Sequence, residues 1–367
     1  MRVLVITPRL GRDPWATGPI AAAVLRVIAE AGHEPLLAAD SIEDAAMFAG
    51  VGMVEAFRDF SPTSSDFPSG FPSWARDIAE RLKPDRTLSL CRSIAGDACW
   101  PLEPTRGAWM RRVLSTRSPI GIAAHLAKHH AVVRPSGRRV IRGRAAAGDA
   151  LIEIRPPGLT LLDRPSDEQR IEARGRVRES LGIKRDVHVL GLSATSGFGR
   201  HLDATLAGLA LANSPTRPLV VLAMVRDTFS IHAAVKRAEK RTGKHLWPSV
   251  YALPPTQEIM PVLAACDGVL APLSAWGDGL TSGCTGRFLA DALLMGVPVA
   301  AIDSASGADL LRQGLGPGFL VRASRPPGWR ATVDRLIALE RNPHPARVPT
   351  VASVLQTCLA AWAAPAR

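Results

Sequence analysis

Aromatic residues are scarce in this chain of 367 residues: they make up 5% of the sequence and include a single tyrosine. Proteins that bind nucleic acid usually place aromatic side chains between their basic ones, as stacking platforms for the bases. The chain carries a formal net charge of +12, from 45 Lys and Arg against 33 Asp and Glu. This charge favours an anionic partner. Because aromatics are scarce, acidic lipid head groups and phosphorylated substrates are better candidates than nucleic acid, which stays an alternative.

Cysteine is neither paired nor clustered, and long apolar runs are missing. The five cysteines are odd in number and scattered, at Cys91, Cys99, Cys266, Cys284 and Cys358. This pattern excludes a disulfide framework and a cysteine zinc site, and it predicts a reducing compartment. No apolar stretch approaches the roughly 18 residues that a membrane-spanning helix needs. The chain enters a predicted strand at 3–7 without a leader-like segment, so we expect a cytoplasmic protein.

Acidic residues are absent from 104–148, a stretch that contains ten Lys or Arg. A charged run is usually a solvated face, but one without a single acidic residue over this length predicts an anion-binding surface. A phosphorylated ligand or the anionic surface of a membrane would suit it. The patch that we assign to this partner consists of Arg106, Arg111, Arg112 and Arg117.

Predicted strands and helices alternate along the chain, which is typical of α/β folds with parallel sheets. The first half opens with a strand at 3–7, a helix at 19–31 and a strand at 34–39. The second half starts again with a strand at 187–193. We predict two doubly wound, Rossmann-like domains, with ligands at the carboxyl ends of their strands. The predicted boundaries are 1–160 for the first domain, 161–186 for a linker and helix, 187–345 for the second domain and 346–367 for a closing helix that packs back on the first domain.

Several segments resemble, in the same order, the motifs of glycosyltransferase family 4, the group 1 transferases. The clearest is 291–299, similar to the family's Glu-Ala-x-x-x-Gly-x-Pro-Val. The others are a Gly-His-Glu at 32–34, a Pro-Pro-Gly at 156–158, a Phe-Gly-Arg-His turn at 198–201 and the Ala-Cys-Asp at 265–267. Residues 97–109 look most like the lipopolysaccharide-core branch of the family.

The resemblance implies a GT-B fold, in which two Rossmann-like domains face each other across a cleft. It makes 1–160 the acceptor-side domain and 187–345 the nucleotide-sugar-binding domain. It also assigns the basic patch to an anionic glycolipid or saccharide acceptor, or to the inner face of the cytoplasmic membrane. It also implies a retaining glycosyltransferase that moves a sugar from a nucleotide diphosphate-sugar to a glycolipid or polysaccharide precursor. No cofactor or metal is expected, since GT-B enzymes as a class transfer sugars without a bound metal. His125 and His129 have the spacing of two helical metal ligands, but neither cysteine nor carboxylate lies near them in the sequence.

The resemblance assigns the donor diphosphate to two elements at helix starts. The first is Arg200 with His201, a basic pair at the start of a helix whose free amides also attract anions. The second is a turn of small residues that enters the next predicted helix at 286–295, and whose bare amides can approach phosphate oxygens closely. Its members are Gly283, Cys284, Thr285 and Gly286. Gly18 is expected to let the first loop approach the donor or acceptor.

Carboxylates at the site depart from the family pattern. Asp291 stands where the family's Glu binds the ribose, but Gly283 stands where another Glu contacts the donor sugar. Asp278 is our candidate replacement for this missing carboxylate. Thr160 also replaces an Asp that follows the family's Pro-x-Gly segment, and Asp97 is the predicted acceptor-side carboxylate. These departures keep a second hypothesis open, a non-catalytic GT-B homologue that binds a sugar nucleotide or a partner.

Overall fold

The computed structural model forms two compact units, whose elements we number in chain order. It describes residues 1–7, 9–11, 17–59, 70–90, 96–99, 152–153, 160–161, 165–194, 200–225, 228–246, 249–253, 259–272, 282–303, 308–322, 325–339 and 348–363. Among these ranges, no helix is long and apolar enough to cross a bilayer.

The first unit is built on a parallel sheet with the strand order β3-β2-β1-β4-β5-β6. Its strands are β1 (Arg2–Thr7), β2 (Glu34–Ala39), β3 (Met53–Ala56), β4 (Arg86–Ser89), β5 (Ala98–Cys99) and β6 (Ile152–Glu153). Its helices are α1 (Thr17–Glu30), α2 (Phe71–Leu82) and the C-terminal helix α10 (Val351–Ala363), with a short 3-10 helix at Ala45–Phe48.

The core of this unit follows from two buried strands and one amphipathic helix. Residues 3–7 of β1 and 35–39 of β2 are all buried, as expected for central parallel strands covered on both faces. Helix α1 buries Ile20, Val24 and Ile28, which lie on one face because they are four residues apart. The chain leaves α1 through Gly32 in the left-handed region, with φ of 77°. The C-terminal helix α10 packs against α1.

The second unit holds the other parallel sheet, in the order β12-β11-β10-β7-β8-β9. Its strands are β7 (His188–Ser193), β8 (Leu219–Met224), β9 (Val250–Leu253), β10 (Gly268–Ala271), β11 (Val299–Ile302) and β12 (Gly318–Val321). Its helices are α3 (Asp167–Ser180), α4 (Arg200–Ala212), α5 (Thr228–Thr242), α6 (Ile259–Ala265), α7 (Ser282–Leu294), α8 (Ala308–Arg312) and α9 (Pro326–Ile337).

Helix α3 lies in the segment predicted to be a linker, and arginines attach it to the second unit. Apart from Ala173, its one buried residue is Arg178. Arg174 and Arg178 donate to separate oxygens of Asp267, at 2.5 and 2.6 Å. The backbone N–H of Val189 donates to the same carboxylate at 2.8 Å. One carboxylate thus ties α3 to the start of β7.

Both sheets have the same topology. Numbered within its own unit, each reads 3-2-1-4-5-6, the strand order of dinucleotide-binding folds. In such sheets the connections leave in opposite directions on either side of one strand pair, and this leaves a crevice at the carboxyl ends of that pair. The pair is β1 and β4 in the first unit, and β7 and β10 in the second.

Candidate functional site

Two helices of the second unit follow the pair of strands that flanks its expected crevice, and they carry the two predicted donor-binding elements. Strand β7 is followed by α4, which begins at Arg200, and β10 is followed by α7, which begins at Ser282. The strands β7 and β10 are direct neighbours, with Leu190 paired to Gly268. Segments separated by about eighty residues in the sequence therefore follow the same pair of strand ends. The sequence motifs by themselves did not predict that the two segments follow neighbouring strands.

The first element is the start of α4. The amides of its first turn have no partner within the helix and carry the positive end of the helix dipole. Arg200 and His201 are the first two residues of the helix, and their backbone is described although their side chains are not. Leu202 is fully buried in the core of the second unit, which fixes how the helix sits on its sheet. Leu202, an apolar residue that packs in the core, thus stands where the family has Gly.

The second element differs from its prediction. Residues 282–286 were expected to form a turn before a helix at 286–295, but they are the first five residues of α7. The free amides therefore belong to a helix N-terminus rather than to an open turn. Gly283 and Gly286 each cost helix stability, because glycine loses more backbone freedom than other residues. Side chains of 282–286 lie outside the described part, so the contacts of Cys284 and Thr285 stay predictions.

Asp291 lies two turns further along α7 and is completely buried. One of its oxygens, Oδ1, accepts a hydrogen bond of 2.5 Å from the hydroxyl of Thr160. The other, Oδ2, lies 3.4 Å from Nε of Arg287, which is 6% exposed. Burial raises the pKa of Asp291 to about 6, although the charge of Arg287 and the hydrogen bond from Thr160 act in the opposite direction. Direct ribose binding by this carboxylate stays a prediction.

This raised pKa makes stability depend on pH in a defined direction. The folded chain keeps a proton on Asp291 that the unfolded chain loses between about pH 4 and 6, so stability from this group falls as pH rises. Asp291→Asn removes the titration. Relative to wild type, we expect the variant to gain about 2 kcal/mol in unfolding free energy from pH 4 to pH 7, by the roughly two-unit pKa change. Urea unfolding at both pH values measures this. A constant difference between the two proteins would contradict the assignment, and Asp203→Asn is the surface control.

Gly18 has a packing role in the first unit. It is the second residue of α1, and a Cβ at this position would lie 2.2 Å from the carbonyl oxygen of Gly11. The hydroxyl of Thr17 also donates to the carbonyl of Arg9. The segment that follows β1 therefore runs directly against the start of α1, which only glycine permits. Contact between Gly18 and a ligand stays a prediction.

A group of buried polar residues at the carboxyl ends of β1 and β2 was missed by the sequence analysis. Thr7, Asp40 and Ser41 are at most 2% exposed. Asp40 pairs with Arg58 at 2.9 Å through Oδ2, but among the described residues its Oδ1 and the hydroxyls of Thr7 and Ser41 have no hydrogen-bond partner. Buried polar atoms of this kind are satisfied by ordered water or by a polar ligand. Their signal in the sequence was the Asp-Ser pair directly after an apolar strand.

Asp97, the predicted acceptor-side carboxylate, immediately precedes β5. Its carboxylate accepts a hydrogen bond of 2.6 Å from the backbone N–H of Thr87 at the start of β4. This contact joins two neighbouring strands near their amino ends, whereas ligands of parallel sheets bind at the carboxyl ends. The described contact is structural, and an acceptor role for Asp97 stays a prediction.

The remaining predicted site residues lie outside the described part of the chain. They are Asp278 and the basic patch of Arg106, Arg111, Arg112 and Arg117. The pair His125 and His129 lies outside it too. Where the structure does describe side chains, no three His, Cys, Asp or Glu residues come together as a metal site would require.

Comparison with known proteins identifies the fold. No protein-family model and no curated protein sequence matches the chain. Among solved structures, WaaG, a glycosyltransferase involved in lipopolysaccharide biosynthesis, matches with a TM-score of 0.68 at 14% identity, over 92% of this chain and 91% of its own. A glycosyltransferase from Rickettsia africae matches with a TM-score of 0.57 at 11% identity, over 98% and 92%. Anabaena HepE, in complex with UDP and glucose, matches with 0.55 at 17%, over 98% and 94%.

These solved structures are GT-B glycosyltransferases. Together with the two parallel sheets of identical topology, the matches confirm the predicted α/β GT-B fold. At these identities a structural likeness establishes the fold and leaves the reaction to be argued from the residues of this chain.

Proposed function

We propose that this chain is a retaining glycosyltransferase that moves a sugar from a nucleotide diphosphate-sugar to a glycolipid or polysaccharide precursor. One observation carries the proposal: the two predicted diphosphate-binding elements, at the starts of α4 and α7, follow the two strands that flank the crevice of the second unit. Ligands of open parallel sheets bind at this crevice. Two helix N-termini at one crevice form a strong anion site.

The chemistry that this site would perform is charge stabilisation. In the transfer, the bond between the anomeric carbon and the diphosphate breaks, and the nucleoside diphosphate leaves with the bonding electrons. The acceptor hydroxyl bonds to the anomeric carbon from the same face, and its proton passes to an oxygen of the leaving diphosphate. Negative charge therefore grows on the leaving diphosphate. Free amides at the starts of α4 and α7, together with the guanidinium of Arg200, would stabilise this charge in the transition state.

We take UDP-sugars as the first donors to test, because HepE, which shares the fold, was solved with UDP and glucose. Our choice of acceptor follows WaaG, a glycosyltransferase that shares the fold and is involved in lipopolysaccharide biosynthesis. The acid-free basic stretch at 104–148 also suits a phosphorylated glycolipid or an anionic membrane surface. These arguments favour an anionic glycolipid acceptor at the inner face of the cytoplasmic membrane.

The alternative is a non-catalytic GT-B homologue that binds a sugar nucleotide or a partner and transfers no sugar. Gly283 favours it, because the family's carboxylate for the donor sugar is replaced by a residue without a side chain. The burial of Asp291 favours it too, since a carboxylate enclosed by Thr160 and Arg287 has no exposed surface to offer a ribose. A homologue that binds a sugar nucleotide differs from the enzyme in turnover alone, whereas a homologue that binds a partner does not need the nucleotide.

A transfer assay separates the two. The purified chain is incubated with UDP-, GDP-, ADP- and dTDP-sugars and a bacterial glycolipid extract, and release of nucleoside diphosphate is followed with and without extract. We expect one donor to be consumed only when the extract is present. NMR should show that the sugar in the product has the same anomeric configuration as in the donor. Binding of a nucleotide with no acceptor-dependent release would support the non-catalytic homologue. An inverted product would contradict the retaining mechanism.

A further inference from the structure

Two departures from the family pattern meet in this structure. Thr160 stands where the family has an Asp, and Asp291 stands where it has a Glu. Although they are 131 positions apart, the hydroxyl of Thr160 donates to Oδ1 of Asp291 at 2.5 Å. Both residues are 0% exposed. The two substitutions therefore form one buried contact, and they can be explained together rather than as separate losses.

Thr160 is held on its backbone side as well. Its N–H donates to the carbonyl of Pro349 at 3.0 Å, and it forms a parallel bridge with Thr350. These segments are where the chain enters the second unit, just before Thr160, and where it leaves, just after Thr350. The backbone of Thr160 thus joins the entry and exit segments, and its side chain links both to α7.

Arg287 supplies the third member. It lies four residues before Asp291 on α7, so the two side chains lie on one face of the helix. Nε of Arg287 is 3.4 Å from Oδ2 of Asp291, and Arg287 is buried as well. Among the described residues, Arg287 is the charged group that acts on Asp291, and Thr160 is the polar group from the neighbouring segment. Each oxygen of the carboxylate therefore faces one of them.

The chemistry of Thr160 and Asp291 explains why a threonine at one position is compatible with a buried aspartate at the other. A buried carboxylate needs a donor for each oxygen, or it takes up a proton. An Asp at position 160 would set a second buried carboxylate beside Asp291, and like charges at that distance cannot both be ionised without another cation. Threonine offers a hydroxyl donor and no charge. The positive charge of Arg287 is then enough to balance the single negative charge of Asp291.

We propose that Thr160 and Arg287 are positioning residues of the donor site, which fix Asp291 and through it the first turns of α7. This inference rests on the proposed function, because it assigns a role in nucleotide binding to α7. Asp291 lies about two and a half turns from the helix start, and helix amides move with the helix as a rigid element. Anchoring Asp291 on one side to the entry and exit segments holds the amides of the first turn at a fixed position for the diphosphate.

Thr160→Val tests the inference, because it removes the hydroxyl and keeps the shape of the side chain, whereas Thr160→Ser keeps the hydroxyl. UDP, GDP, ADP and dTDP are each titrated by calorimetry into wild type, Thr160→Val and Thr160→Ser, from pH 5 to pH 8. For the nucleotide that wild type binds most tightly, we expect the Val variant to bind about tenfold more weakly, as for loss of a hydrogen bond to a charged group. The Ser variant should stay within about twofold of wild type.

The pH series provides a readout that a loss of packing alone would not move. The hydrogen bond from Thr160 favours the charged form of Asp291, so its removal should raise the pKa of Asp291 and, with it, the pH at which nucleotide affinity changes relative to wild type. If the Val variant does not fold, Asp291→Asn with and without Thr160→Ala gives the same information. When Thr160 acts through Asp291, the double variant binds no more weakly than Asp291→Asn.

Three outcomes are distinguishable. Weaker binding and a raised midpoint in the Val variant alone would support the positioning role. Equal binding by wild type and Val variant across the pH range would overturn it and leave the proposed function intact. Absence of binding of all four nucleotides to well-folded wild-type protein would overturn the proposed function and the positioning role with it.

Discussion

Replacing Asp267 by alanine is expected to lower the free energy of unfolding by about 3 kcal/mol at neutral pH. The carboxylate accepts hydrogen bonds from Arg174, Arg178 and the backbone N–H of Val189. Alanine would leave two guanidinium groups without their anion, and Arg178 is only 10% exposed. Removal of one member of a buried ion pair costs several kcal/mol, because the remaining charge stays desolvated. Since Asp267 is 21% exposed, we expect the lower end of that range.

The pKa of Asp267 gives this prediction a pH dependence. Burial acts to raise the pKa, but the Val189 hydrogen bond and the two arginines outweigh it, so the pKa lies below its usual value of 3.8. A carboxyl whose folded pKa is depressed stabilises the protein above its unfolded pKa, and that stability is lost as pH falls through the folded pKa. The deficit of Asp267→Ala should thus be complete above about pH 5 and shrink below about pH 4.

Urea unfolding of both proteins at neutral and acidic pH measures the effect. Asp203→Ala is the matched control, because Asp203 belongs to the same unit and pairs with a single arginine, Arg237, at the surface. Exposed pairs of this kind contribute up to about 1 kcal/mol. Equal losses for the two variants would contradict the account of α3 as a helix held by Asp267.

Replacing Arg200 by alanine is expected to lower kcat by about 100- to 1000-fold, the usual cost of losing one group that stabilises transition-state charge. Arg200 is the first residue of α4, beside helix amides that bind anions, and it follows one of the two strands at the crevice. Because His201 and Leu202 replace the Lys and Gly of the family turn, Arg200 is the one strong cation of this motif.

Steady-state kinetics of the transfer reaction measure this loss, with KM and kcat determined separately. Arg176→Ala is a suitable control, since Arg176 is an exposed arginine of α3 that pairs with Glu172 on its own helix. We expect this variant to keep wild-type activity. Wild-type kcat in Arg200→Ala, with an unchanged melting temperature, would contradict the assigned role.

The regular part of the fold was accessible from the sequence because buried parallel strands are uniformly apolar. The strand at 34–39 was predicted with the bounds that the structure gives. The closing helix was predicted within 346–367, and the structure gives it the bounds Val351–Ala363. Strand β3 and helix α2 were missed. β3 is an edge strand whose residues are half-buried or exposed, so it has no clear apolar pattern. Helix α2 is amphipathic and buries Phe71, Ala75 and Ile78 on one face, but it comes directly after a stretch of sequence rich in Pro and Ser, which is typical of loops.

The start of α7 was predicted four residues too late, because Gly283 and Gly286 are typical of turns and weaken any helix prediction. Contacts between side chains were harder to predict from the sequence than the bounds of the helices. The contact of Thr160 with Asp291 joins positions far apart in the sequence, and their meeting depends on how the entry segment packs against α7. The charged pattern of α3 predicted an exposed linker helix, since the sequence does not reveal that Asp267 draws two of its arginines inward.

The central claim is that the crevice of the second unit binds a nucleoside diphosphate, and thermal unfolding with and without ligand tests it most directly. Wild type and Arg200→Ala are melted in the presence of UDP, GDP, ADP or dTDP and the corresponding sugars. A ligand at a hundred times its dissociation constant adds about 2.7 kcal/mol to stability, which raises the melting temperature by several degrees. We predict such a shift with one nucleotide in wild type and its loss in Arg200→Ala. No shift with any nucleotide, or an equal shift in both proteins, would contradict the account.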